Sequence, residues 1–215
     1  MRTIEVNLYQ FDELSDEAKG KARDWFRELE AQDFDAYGEL WEPAEAAAKL
    51  LGITFAKTAV NLVSGKTRYE SDIRYSGFSS QGDGASFVGS YEYAKGSTKA
   101  VRKEFPEDAD LHAIADALAA IQRKHGYLLT ADISQSGSYV HKYTMDVEVS
   151  KRSNMATLES EDTHMHDAIL ESMRDFAQWI YDGLRDEYEY CQSDEAVDEG
   201  IRANEYEFTE DGKRA

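Results

Sequence analysis

A single cysteine in 215 residues, Cys191, excludes an intrachain disulfide and any zinc site built on several thiolates. Two prolines and no long Gly/Ser-rich or Pro-rich run leave no recognisable linker. One domain over 1–215 is therefore expected, with the acidic tail 193–215 as a candidate extension. No window approaches the roughly 20 consecutive apolar residues of a membrane span. The opening Met1-Arg2-Thr3-Ile4-Glu5-Val6 lacks a secretory apolar stretch, so a soluble, cytoplasmic protein is expected. Bases are scarce: 24 Lys and Arg face 43 Asp and Glu, for a net charge of −19. Such a surface repels nucleic acid and anionic membrane and attracts basic proteins.

What is present suffices for a core. Hydrophobic residues make up 41% of the chain and aromatic residues 12%, too apolar and too well patterned for a disordered acidic polymer. The charge is uneven: residues 1–45 carry 13 acids and 5 bases, 46–160 carry 13 and 14, and 161–215 carry 17 and 5.

Period-2 alternation of Ile4, Val6 and Leu8 predicts a strand over Thr3–Tyr9. Ser15 reads as the N-cap of a helix carrying Ala18, Ala22, Trp25, Phe26 and Leu29. A second helix is predicted over Tyr37–Leu51, closed by Gly52. Strands follow at Ile53–Phe55, Val60–Leu62, Ile73–Tyr75 and Phe87–Tyr93. A helix after Pro106 aligns Leu111, Ile114, Ala115, Leu118 and Ile121, and two strands, Tyr127–Ile133 and Tyr139–Val149, come after it. A long helix from Asp162 to Tyr190 buries Ile169, Met173, Phe176, Ile180 and Leu184, and Glu205–Thr209 reads as an edge strand. Hairpins flanked by helices indicate an α+β fold: an antiparallel sheet of about five to six strands with helices packed on it and a long acidic C-terminal helix.

The strongest local signal is the glycine-rich stretch Gly77 to Gly84, joining two aromatic strands. Glycine permits positive φ and close approach of backbone to a ligand, which makes Gln81, Gly82, Asp83 and Gly84 candidate ligand contacts, although a hairpin connection explains the stretch as well. Gly65-Lys66-Thr67 fails as a phosphate loop because position 60 is Val60 instead of glycine. His164 and His166, two apart, diverge on a helix. Cys191 with His125 or His141 lacks a third ordering group. No catalytic residue, metal ligand or cofactor is assigned.

The long helix carries a second signal. Asp167, Glu171, Asp175, Gln178, Asp182, Asp186 and Glu189 recur at steps of three or four opposite the apolar stripe. Successive members rise about 5–6 Å along the axis, of the order of neighbouring phosphates on a DNA strand, whose axial rise is roughly 3.4 Å with winding added. A solvated helix face is the plain explanation, and a carboxylate row imitating a phosphate backbone is the functional one. The excess in Asp194, Glu195, Asp198 and Glu199, and in Asp24, Glu28 and Glu30 of the first helix, extends the same theme.

Three stretches, Tyr9–Lys19, the loop Ser76–Phe87 with its centre Ser80-Gln81-Gly82-Asp83-Gly84-Ala85, and Tyr143-Thr144-Met145, resemble a family of uncharacterised bacteriophage and mobile-element proteins, some of them labelled antitoxins. The resemblance implies action inside a host bacterium and brings no catalytic residues. The expected function is a phage-type acidic inhibitor, not an enzyme. It would bind a basic nucleic-acid-binding surface of a host defence protein, in the manner of a DNA-mimicking anti-CRISPR or anti-restriction protein, without contacting nucleic acid or membrane itself. The alternatives are a ligand-binding or enzymatic module centred on Gly77–Gly84 and an antitoxin that neutralises a basic toxin.

Overall fold

A computed structural model describes residues 6–33, 41–61, 65–152 and 163–215. In chain order the strands are β1 (Tyr9–Gln10), β2 (Ile53–Phe55), β3 (Lys57–Asn61), β4 (Thr67–Ser71), β5 (Ile73–Tyr75), β6 (Ala85–Phe87), β7 (Gly89–Glu92), β8 (Leu129–Gln135), β9 (Met145–Lys151) and β10 (Glu207–Phe208). The helices are α1 (Asp16–Asp33), α2 (Trp41–Leu51), α3 (Ser97–Glu104), α4 (Ala109–Lys124), α5 (Thr163–Cys191) and α6 (Asp194–Ala203). The fold is α+β with antiparallel sheets. It divides into two compact units, Met1–Ala36 with Leu184–Ala215, and Tyr37–Gly183. Neither boundary carries a linker-like composition, which is why the sequence reads as one domain.

The larger unit is built on a four-stranded antiparallel sheet of order β2-β7-β8-β9, with β3-β4 and β5-β6 as separate pairs. Alternation along the strands buries Ile53, Phe55, Tyr91, Leu129, Ala131, Ile133, Met145 and Val147, and leaves Thr54, Ser90, Asp132 and Glu148 exposed. This is the pattern of a sheet covered on one face. The helices of this unit bury Leu51 of α2, Leu111 and Leu118 of α4, and Ile169, Met173, Phe176 and Ile180 of α5. Phe176 lies 5.7 Å from Phe87 and 6.3 Å from Phe55, ring centre to ring centre, and so ties α5 to both sheets.

The strand predicted over Phe87–Tyr93 splits at Val88. Phe87 pairs with β5, Val88 donates to Asp72 O (3.0 Å) and accepts from Ala56 N (2.8 Å), and Gly89 opens β7. A Cβ at Gly89 would come within 2.2 Å of Thr54 O, so the close approach of β2 requires glycine there. The predicted strand Tyr139–Val149 is regular only from Met145; residues before it form a loop and one short 3-10 turn, Lys142–Thr144.

In the smaller unit Ser15 caps α1, its Oγ accepting from Ala18 N at 3.3 Å. The apolar stripe of α1 (Ala18, Ala22, Phe26) packs with Phe11, Leu14, Val197, Ile201 and Phe208 in one cluster, flanked by Tyr9, Trp25 and Tyr206. The segment 193–215 contributes α6, β10 and three residues of this cluster, Val197, Ile201 and Phe208. Ser193 caps α6 through Ala196 N (3.3 Å), and β10 pairs with β1. The strand predicted over Thr3–Tyr9 starts later: residues 3–5 lie outside the described residues, 6–8 are irregular, and Tyr9 opens β1.

Candidate functional site

The outward face of α5 is fixed by what its inward face buries. With Met165, Ile169, Met173, Phe176, Ile180 and Leu184 in the interior, the helical period turns the acidic row outward. Within the larger unit Asp167, Glu171 and Asp175 are exposed, while Gln178 and Asp182 are half-buried. Glu171 accepts from Arg174 Nη1 at 2.7 Å, and Asp182 accepts from Gln178 Nε2 at 3.1 Å. The Arg174 guanidinium also lies 5.2 Å from the Tyr143 ring centre. Asp186 and Glu189, on turns belonging to the smaller unit, are exposed and sit 3.9 Å from Arg185 nitrogens. Salt bridges of this exposed kind contribute little and leave the field of the row negative.

Asp175 and Asp182 also border a groove between α4 and α5 with a volume of about 450 Å³. Ala113 and Ala117 of α4 leave it open, Ile114 and Trp179 form its apolar surface, and Asp110 stands on the α4 side. Asp108 holds the two helices together. One carboxylate oxygen caps α4 through Leu111 N (2.9 Å) and the other accepts from Trp179 Nε1 (2.7 Å). Burial raises the Asp175 carboxyl above its ordinary value; Lys142 opposes this, and the carboxylates of Glu171 and Asp110 add to it. The α5 half of this site was visible in the sequence. The α4 half was not, although alanines four apart beside the apolar stripe of α4 are the trace it leaves.

The glycine-rich loop is bound up with its surroundings. Asp83 Oδ2 accepts from the amides of Ser79 (2.8 Å) and Ser80 (2.6 Å), so this oxygen is committed within the loop. Ser76 Oγ donates to Val140 O (3.0 Å) and accepts from Gly84 N (3.0 Å), and Tyr181 donates to Gly77 O at 3.1 Å. The Phe78 ring stacks between Tyr75 (5.7 Å) and Tyr181 (5.8 Å). A Cβ on Gly84 would meet His141 Cδ2 at 2.7 Å. Of the four candidate contacts, Gln81 and Gly82 are exposed at the tip, while Asp83 and Gly84 hold the loop's shape. This arrangement clasps the β5–β6 hairpin to the segment before β9 and to α5.

The acids of α1 and α6 belong to the smaller unit, which has 21 acids and 9 bases in sequence against 22 and 15 for the larger. Three of its arginines are taken up internally. Arg23 binds Asp198 through two nitrogens (2.6 and 2.8 Å), Arg27 contacts Asp24 (3.3 Å) and Asp194, and Arg202 binds Asp12 at 2.8 Å. Glu28, Glu30, Glu195 and Glu199 remain on the exposed surface. His166 turns Nε2 to Val147 O (2.9 Å), and Cys191 Sγ lies 3.7 Å from Glu187 Oε1. No described helix is long and apolar enough to cross a membrane.

The chain belongs to a family described as a domain of unknown function, DUF8835, which matches residues 37–194. The match begins where the larger unit begins and runs past the end of α5. No curated protein and no solved structure matches the chain.

Proposed function

We propose that this DUF8835 member is a protein-binding module that lays the acidic face of α5 on a basic, nucleic-acid-binding surface of a partner protein and competes with nucleic acid there. The observation that carries the reading is the run Asp167, Glu171, Asp175, exposed at one-turn intervals on a helix whose opposite face is anchored in the core. A carboxylate row of this kind keeps its spacing without further ordering, so binding incurs little conformational cost. The partner class is a host defence protein that handles nucleic acid, and the site of action is the cytoplasm of a bacterial host. Attraction between opposite fields makes association fast and salt-sensitive.

The test is affinity capture on the immobilised protein from bacterial lysate. Basic nucleic-acid-binding proteins should be retained at low salt and released both by high salt and by excess duplex DNA. The combined substitutions Asp167→Lys and Glu171→Lys should abolish retention with thermal unfolding unchanged. Retention indifferent to salt, to DNA and to these substitutions would sink the proposal.

A further inference from the structure

We infer that the groove between α4 and α5 seats a basic amphipathic helix of the partner. The inference rests on the function proposed above and names the element that would dock. Ile114 is 4% exposed and forms the floor, with the half-buried Trp179 beside it. Ala113 and Ala117 are exposed, so α4 offers a low wall that a third helix can approach. Among the described residues that line the groove, the charged ones are Asp110, Asp175 and Asp182.

The spacing selects the occupant. Asp175 and Asp182 are two turns apart, about 10.5 Å along the axis. A helix lying in a groove presents anchors at i, i+3, i+4 and i+7. Cations at i and i+7 meet the two carboxylates, and apolar residues at i+3 and i+4 cover Ile114 and Trp179. Arginine suits the rim best, because its aliphatic stem packs on apolar surface while its guanidinium stacks on the indole and bridges to a carboxylate. A freely hydrated cation would gain nothing from the apolar floor.

Trp179 is the built-in reporter. With Trp25→Phe and Trp41→Phe it is the sole tryptophan. The probe is a short helical peptide with Arg at i and i+7 and Leu at i+3 and i+4, compared at low salt with a peptide of equal composition whose arginines lie opposite the leucines. The first peptide should shift Trp179 emission saturably and the second should not. Asp175→Asn with Asp182→Asn, and separately Ala117→Phe, which fills the groove from an exposed position, should each weaken binding about tenfold or more. No response, an equal response to both peptides, or unchanged affinity in both variants would overturn the inference. Lysate capture separates it from the wider reading. If Ala117→Phe still retains DNA-displaceable proteins that Asp167→Lys with Glu171→Lys loses, the groove inference falls and the acidic-surface reading stands. If nothing retained is displaced by DNA or salt, the reading itself falls.

Discussion

Gln122 grips Leu129 at two points, its Nε2 donating to Leu129 O (2.8 Å) and its Oε1 accepting from Leu129 N (3.1 Å). Leu129 opens β8, and its main-chain groups face the β7 side, where β7 has already ended opposite Thr130. One side chain of α4 thus stands in for the missing length of strand. A buried main-chain group left unpaired costs about 1–3 kcal/mol. Gln122→Leu, which leaves two, should lower stability by about 2–5 kcal/mol in urea denaturation. A loss under about 1 kcal/mol would show that β8 does not depend on this grip.

The same Nε2 donates to the Tyr91 hydroxyl at 3.1 Å. Burial pushes Tyr91 up to about 12, with the Gln122 bond acting in the other direction. A folded value above the unfolded one means stability is full below about pH 10 and is lost as pH rises toward about 12, by up to about 3 kcal/mol. Alkaline unfolding of the native protein should therefore be steeper over that window than that of Tyr91→Phe. Coincident profiles would contradict the assignment.

Arg23 and Asp198 form a two-bond pair whose side chains are 24% and 16% exposed. The hydrogen bond from Arg23 holds the Asp198 carboxyl below its ordinary value. This contribution is present at neutral pH and disappears as pH falls through the depressed value. Asp198→Asn should cost about 1.5–3 kcal/mol at pH 7, with the gap to the native protein closing in acid, as followed by thermal unfolding from pH 7 downward.

At Gly200 two effects of opposite sign compete. Alanine in a helix interior gains roughly 1 kcal/mol over glycine, but a Cβ here would sit 2.6 Å from Cζ of Phe26, itself only 4% exposed. Overpacking of a core typically costs 1–3 kcal/mol, so about 1 kcal/mol net destabilisation is expected for Gly200→Ala. A rise in melting temperature would show that the Phe26 ring yields.

Elements with an apolar period were legible in the sequence: Ile114, Leu118 and Ile121 announce α4, and Ile169 to Leu184 announce α5. Those held by few contacts were not. β4 buries one residue, Ser71, α3 buries one, Val101, and the inward pair Val197 and Ile201 of α6 is hidden among Asp194, Glu195, Asp198 and Glu199. The row on α5 needs only its own helix and so could be read in advance. The groove needs Ala113 and Ala117 set beside Asp175 and Asp182, a juxtaposition that no local pattern encodes.

The cluster joining Phe11, Ala22 and Phe26 to Val197, Ile201 and Phe208 also sets an order of events during synthesis. The apolar stripe of α1 leaves the ribosome long before the residues of α6 and β10 that cover it. Until then the stripe waits exposed, a contact of very long sequence separation with the slow closure and aggregation hazard that this entails. A ribosome stalled before residue 197 would release a chain whose first helix lacks Val197, Ile201 and Phe208, three of the eight buried residues of its cluster.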